Sequence, residues 1–228
     1  MLKIGHRGAM GYAPENTLAS FAKALELGVD GIELDVHLCK SGELVVIHDG
    51  RVDRTTNGKG TVIDMTLAEL KQLDAGEGQR ISTFSEVLNF VDRRAIIDIE
   101  LKAEGTGKPV ADVINLYIQK QGWEKEGFIL SSFDHHELKR CHDLIPDVPF
   151  GPLIAAKPLD YALLAQKMNA DLIMPFFEFL DRKFVQDAHQ RGLKVFTWTV
   201  NRPEEIKKIL SIGVDGIISN YPDRLRAE

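Results

Sequence analysis

The sequence predicts an α/β protein, a closed (β/α)8 TIM barrel with a small insertion between its second and third βα units. Three observations predict it. Eight short β-rich runs alternate with amphipathic stretches along the chain, and such alternation requires crossover connections and a parallel sheet. The chain has 228 residues, and one α/β barrel commonly takes about 250, so a single domain over residues 1–228 is expected. The first strand runs into His6-Arg7-Gly8-Ala9-Met10-Gly11. That is not the Gly-rich turn of a dinucleotide-binding open sheet, which favours closure.

The first strand is expected at residues 3–7 and the first helix at 15–27. Pro14 suits a first helical turn, Glu15 suits its positive end, and Gly28 supplies a left-handed cap past the last turn. The second strand follows at 31–38. Residues 43–82 then break the rhythm with a short strand at 44–47, a polar turn from Arg54 to Gly60 and a short helix at 67–73. This is the insertion, expected over the barrel mouth. Further strands are predicted at 95–101, 128–132, 149–154, 171–175, 194–200 and 215–219. Between them lie helices at 84–91, 109–121, 135–144, 159–168, 181–191 and 203–211. Proline and two acids in Pro203-Glu204-Glu205 mark the last helix start. Gly28-Val29-Asp30-Gly31-Ile32 returns as Gly213-Val214-Asp215-Gly216-Ile217. Both copies mark a helix end followed by a strand start, not a tandem repeat.

Bulk composition narrows the function. A 44% hydrophobic content allows a sizeable core. A net charge of −6 repels nucleic-acid phosphates, which argues against a DNA or RNA partner but leaves a small phosphorylated substrate open. Two widely separated cysteines, Cys39 and Cys141, fit a reducing compartment better than a disulfide scaffold. The start Met1-Leu2-Lys3-Ile4 has no signal-like pattern, and no apolar run approaches the roughly 20 residues of a membrane span. A cytoplasmic protein without stable membrane insertion is expected.

The chemistry sits in two alternating strands. Residues two apart on a strand share a face. Glu33 and Asp35 therefore point one way on the second strand, as do Asp98, Glu100 and Lys102 on the third, while Ile32, Leu34, Ile97, Ile99 and Leu101 point the other. Helices cover the outside of a parallel barrel, so the apolar set belongs there and the charged set points inward. Unpaired buried carboxylates cost several kcal/mol each, and clustered ones repel one another. Arg7 and Lys102 are too few to balance Glu33, Asp35, Asp98 and Glu100. A divalent cation would resolve both problems, and oxygen ligands without cysteine suggest Ca²⁺ or Mg²⁺. His6, ending the first strand, and His48, ending the inserted one, fall at the active face of such a barrel and suit general acid and base roles. Arg7 offers a bidentate fork and Lys102 a point charge for a phosphate. His37, His135, His136, His142 and His189 are assigned to helices or to outward strand positions and read as structural. The kit meets the needs of phosphodiester hydrolysis, though metal-dependent aldolases and isomerases on barrels use a similar one.

Five pieces occur in order: His6-Arg7-Gly8, Pro14-Glu15-Asn16-Thr17, Glu33-Leu34-Asp35-Val36, His48-Asp49 with Asp53-Arg54-Thr55-Thr56-Asn57-Gly58, and Glu100-Leu101-Lys102. Together they resemble the glycerophosphodiester phosphodiesterase family from Ile4 to Pro222. The resemblance implies a Ca²⁺ or Mg²⁺ site at Glu33, Asp35 and Glu100, with His6 and His48 as the acid–base pair. It implies that Arg7 and Lys102 meet the phosphate and that Trp198 walls the glycerol. Glu15, Asn16 and Asp49 become structural supports, the first two for the His6 loop. The implied reaction converts a glycerophosphodiester into sn-glycerol 3-phosphate and an alcohol. Lysophospholipase D-like or phosphatidylinositol phospholipase C-like activity is the alternative, and a binding-only barrel the rival from another class. Ser219-Asn220-Tyr221-Pro222 departs from the Thr-Asp-Tyr-Pro of many relatives, a change expected to touch only a peripheral interaction.

Overall fold

The computed structural model describes residues 1–225; residues 226–228 lie outside the described residues. In chain order it begins with β1 (Leu2–Gly5), α1 (Leu18–Glu26) and β2 (Gly31–Leu38), followed by β3 (Leu44–Val46), α2 (Leu67–Leu70) and α3 (Phe84–Val91). The regular alternation continues with β4 (Ile96–Leu101), α4 (Gly107–Lys120), β5 (Phe128–Ser132), α5 (His135–Leu144), β6 (Phe150–Ile154) and α6 (Leu163–Lys167). It ends with β7 (Leu172–Pro175), α7 (Arg182–Gln190), β8 (Lys194–Thr197), α8 (Pro203–Ile212) and β9 (Gly216–Ser219). Eight strands run parallel in the order β1-β9-β8-β7-β6-β5-β4-β2, and β1 also pairs with β2, so the barrel closes. The extra strand β3 lies antiparallel on β2, with Val36 opposite Val46.

The alternation in β2 and β4 divides as the sequence predicts. Ile32, Leu34, Ile97 and Ile99 are fully buried in an outer layer with Phe21 of α1, Phe84 of α3 and Val110 of α4. A second apolar group, Ile4, Ile129, Leu153, Leu172, Met174, Phe196 and Ile218, comes from six other strands and fills the barrel interior. Side chains layered across the axis make this a packed core with no pore. Residues between β2 and α3 bury a core of their own, including Val45, Ile47, Val52, Val62, Leu70 and Ile81. Their helix is one turn, shorter than the expected 67–73.

Helix caps explain most boundaries. Thr83 accepts from the Glu86 backbone N–H while the Glu86 carboxylate accepts from the Thr83 N–H, a capping box opening α3. Thr83→Ala should therefore cost about 1 kcal/mol. A urea midpoint lowered at constant slope would register it, and an unchanged midpoint would mean the cap contributes nothing. Gly213, at φ 86°, ends α8 in the left-handed conformation expected of it.

Four boundaries differ from expectation. The first helix starts at Leu18, not at residue 15: Thr17 is the cap, and Asn16 sits at φ 57°, where a helix cannot run. The first strand stops at Gly5, leaving His6 and Arg7 in a turn with Arg7 at φ 50°. The seventh barrel strand, β8, ends at Thr197 and not at residue 200, so Trp198 lies just beyond it. The helix expected at 159–168 shrinks to Leu163–Lys167, preceded by turns with Tyr161 at φ 47°. Among the described residues no helix is long and apolar enough to cross a membrane.

Candidate active site

Parallel pairing of β2 with β4 sets Glu33 opposite Asp98 and Asp35 opposite Glu100. Adjacent strands lie about 4.8 Å apart, so the register itself forces the acids together. One oxygen each from Glu33, Asp35 and Glu100 lies within 4.8 Å of the others. Burial, then Asp35 and Glu100, push Glu33 well above the ordinary carboxylate range. Burial and Asp35 raise Glu100 to about 7 against the opposing pull of Lys102. Burial raises Asp98 to about 7 although the Ser131 hydroxyl donates to it at 2.8 Å. Asp35 Oδ1 is buried without a hydrogen-bond partner. An orphaned carboxylate oxygen among mutually repelling acids is what a hard cation would satisfy, so Glu33, Asp35 and Glu100 fit Ca²⁺ or Mg²⁺.

Basic groups surround this cluster. The Arg7 backbone N–H donates to Glu33 Oε2 at 2.8 Å, and its guanidinium donates to Glu15 at 2.6 Å and stands 3.4 Å from Asp35. Lys102 Nζ donates to Glu100 at 2.6 Å and lies 3.2 Å from His48 Nε2. Burial opposes the Lys102 charge, but Glu100 and Asp35 outweigh it and raise its pKa. Asn16 donates to Asp35 Oδ2 at 2.8 Å, and its backbone N–H donates to Arg7 O at 3.1 Å. The support expected of Glu15 and Asn16 thus reaches Arg7 and Asp35 rather than His6 itself.

Each histidine rests on a partner through Nδ1. His6 Nδ1 is 2.6 Å from Asn220 Oδ1, and its Nε2 is 3.9 Å from Glu33 Oε2. Burial, reinforced by Arg7, lowers His6 to about 4 even though Asn220 pulls the other way, so the ring is neutral near pH 7. His48 Nδ1 is 2.6 Å from Asp49 Oδ1. Arg54 grips Asp49 at 2.7 Å and Glu15 at 2.7 Å. Its hydrogen bonds, with a smaller opposing burial effect, lower Asp49. Burial would raise Glu15, but Arg54 and Arg7 hold it at about 2.

Opposite the charges, Trp198 lies edge-on to Phe133 at 5.4 Å and tilted on Phe176 at 5.1 Å, with its indole N–H donating to Met174 O. One cleft touches His6, Glu33, His48, Glu100, Lys102 and Trp198. The expected residues therefore converge. Three neighbours stand closer to the site than the sequence suggests. Asn220, expected to be peripheral, touches His6 directly. His37, expected to point outward, shares the Glu33–Asp35 face, and its Nε2 lies 3.0 Å from the His48 carbonyl. Arg54, which the sequence marks only as part of a polar turn, ties the inserted segment to Glu15. The period of two along β2 already placed His37 inward. Nothing local announced Asn220, which contacts His6 across 214 positions.

The chain matches the Glycerophosphoryl diester phosphodiesterase family over residues 6–224. It is 40% identical to a glycerophosphodiester phosphodiesterase of Caldanaerobacter subterraneus, with 98% of this chain and 96% of that one aligned. It is 35% identical to a glycerophosphodiester phosphodiesterase of Bacillus subtilis over 98% of this chain and 84% of the other. A phosphodiesterase of Oleispira antarctica, solved in complex with the product sn-glycerol-3-phosphate, superposes with a TM-score of 0.88 at 31% identity, covering 97% of this chain and 94% of that one.

Proposed function

This chain belongs to the glycerophosphoryl diester phosphodiesterase family, and from that premise we propose a metal-dependent hydrolysis in which His6 and His48 form the acid–base pair. It is a glycerophosphodiester phosphodiesterase, a phosphoric diester hydrolase. The products are sn-glycerol 3-phosphate and an alcohol, as the product complex of the Oleispira antarctica relative supports. One observation carries the mechanism: three carboxylates lie within 4.8 Å of one another, and two of them, Glu33 and Glu100, line one cleft with both histidines.

Glu33, Asp35 and Glu100 would hold one Ca²⁺ or Mg²⁺. Bound there, the cation would neutralise the non-bridging phosphate oxygens as charge shifts in the transition state. Lys102 and Arg7 add positive charge on the same side. His6 accepts the proton of the attacking hydroxyl at Nε2. His48 gives a proton to the departing alcohol oxygen as the P–O bond breaks. The attacking hydroxyl belongs to water or to the glycerol 2-position. Glu15, Asn16 and Asp49 hold these groups in place, Trp198 walls the cleft, and residues 43–82 form the insertion at its mouth. Cys39 and Cys141 are free and buried, which suits the reducing cytoplasm as the working compartment.

Release of glycerol 3-phosphate from glycerophosphocholine tests the proposal. EDTA should reduce it to background, and added Ca²⁺ or Mg²⁺ should restore it; release indifferent to EDTA would remove the metal from the mechanism. Phe133 is 47% exposed beside Trp198 and could meet an acyl chain. The same assay with lysophosphatidylcholine therefore separates the lysophospholipase D-like reading, which requires that substrate to turn over faster.

A further inference from the structure

We propose that Asn220 is the positioning residue of His6, its side-chain oxygen fixing the ring tautomer that leaves the Nε2 lone pair facing the cleft. The inference rests on the reading of His6 as one of the acid–base pair. An amide oxygen has no hydrogen to give. With Asn220 Oδ1 only 2.6 Å from His6 Nδ1, the hydrogen must reside on Nδ1, which donates it. The other ring nitrogen is then unprotonated, and it is the one that faces Glu33. A neutral histidine held this way is ready to take a proton at Nε2, which suits His6 to the base role.

Asn220 is itself fixed from several sides. Its backbone N–H donates to Asn201 Oδ1 at 2.9 Å, and its carbonyl accepts from the Gly11 N–H at 3.0 Å. The Ser219 hydroxyl donates to the same Asn201 oxygen at 3.3 Å. The His6 N–H donates to Ser219 O at 2.9 Å, so β1 and β9 carry the pair as one unit. A Cβ on Gly11 would stand 2.6 Å from Tyr221 Cδ1, which leaves no slack in the loop that caps Asn220. His48 is built differently, with the carboxylate of Asp49 on Nδ1 and the Lys102 ammonium at Nε2. The site thus gives one ring a neutral acceptor and the other a charged one.

The test uses Asn220→Leu, Asn220→Asp and His6→Ala in the full chain. Steady-state release of glycerol 3-phosphate is measured with heteronuclear NMR of the histidine ring nitrogens. Asn220→Leu should abolish the Nδ1–H tautomer preference of His6 and lower kcat about 10- to 100-fold, with KM changed by less than about twofold. Asn220→Asp offers an acceptor at the same place and should restore both the tautomer and most of the lost turnover. An Asn220→Leu variant that keeps the Nδ1–H tautomer or near-normal kcat, or an Asn220→Asp variant as slow as the leucine one, overturns the proposal. A fully active His6→Ala variant overturns the acid–base reading instead, and the catalytic role of Asn220 with it; the NMR still reports separately whether Asn220 sets the ring.

Discussion

Asp35→Asn should lower turnover by at least about a thousandfold and abolish the response to added Ca²⁺ or Mg²⁺, with the barrel intact. Asp35 is fully buried, and its two oxygens have different duties. Oδ2 accepts from Asn16 at 2.8 Å, whereas Oδ1 has no hydrogen-bond partner. An asparagine can keep the first contact through its own carbonyl oxygen, so the brace to the loop before α1 survives. What disappears is the charge beside the free position. Lewis-acid stabilisation of a transferring phosphoryl group is worth several kcal/mol, and about 4 kcal/mol corresponds to three decades in rate. Folding should not suffer, because the substitution relieves repulsion on Glu33 and Glu100, which still balance Arg7 and Lys102. Calorimetric titration with each cation, beside a thermal melt, separates the effects. Wild-type cation affinity together with wild-type turnover in Asp35→Asn would dispose of the proposed metal site.

The charge pattern behind that prediction is legible because it is local. Strand periodicity puts Glu33 with Asp35 and Asp98 with Glu100 on one face whatever the rest of the chain does, and the hydrophobic set at Ile32, Leu34, Ile97 and Ile99 decides which face is inside. Eight alternations then fix the architecture. The boundaries that shift are those where a tertiary bond defeats local preference. Pro14-Glu15 carries the signs of a helix start, but Asn16 turns to φ 57° and bonds Asp35, so Thr17 becomes the cap. His6 and Arg7 continue the first β-rich run in sequence, yet the Gly8 N–H bonds back to Gly5 O and ends the strand early. Contacts of high sequence separation leave no periodic trace at all. Arg54 bridges Glu15 and Asp49 only once the inserted segment meets the loop before α1, and Asn220 meets His6 only once the barrel has closed β1 against β9.

Removing the two histidines in turn should separate the roles that their surroundings imply. His6→Ala should cut kcat for glycerophosphocholine by at least about a hundredfold, the low end of what a positioned acid or base contributes, while cation binding stays normal because His6 is not among the three clustered acids. His48→Ala should cost a similar factor on the same substrate. The two diverge when choline is replaced by a p-nitrophenyl leaving group, which departs without being protonated. The requirement for an acid then falls away, and His48→Ala should recover most of its lost activity. The attacking hydroxyl must still lose its proton, so His6→Ala should remain defective. The divergence has a structural root: His6 presents Nε2 with Nδ1 held by an amide oxygen, whereas His48 is flanked by Asp49 and Lys102. Recovery in His6→Ala but not in His48→Ala would reverse the assignment, and near-normal turnover of His6→Ala on glycerophosphocholine would remove that histidine from the chemistry altogether.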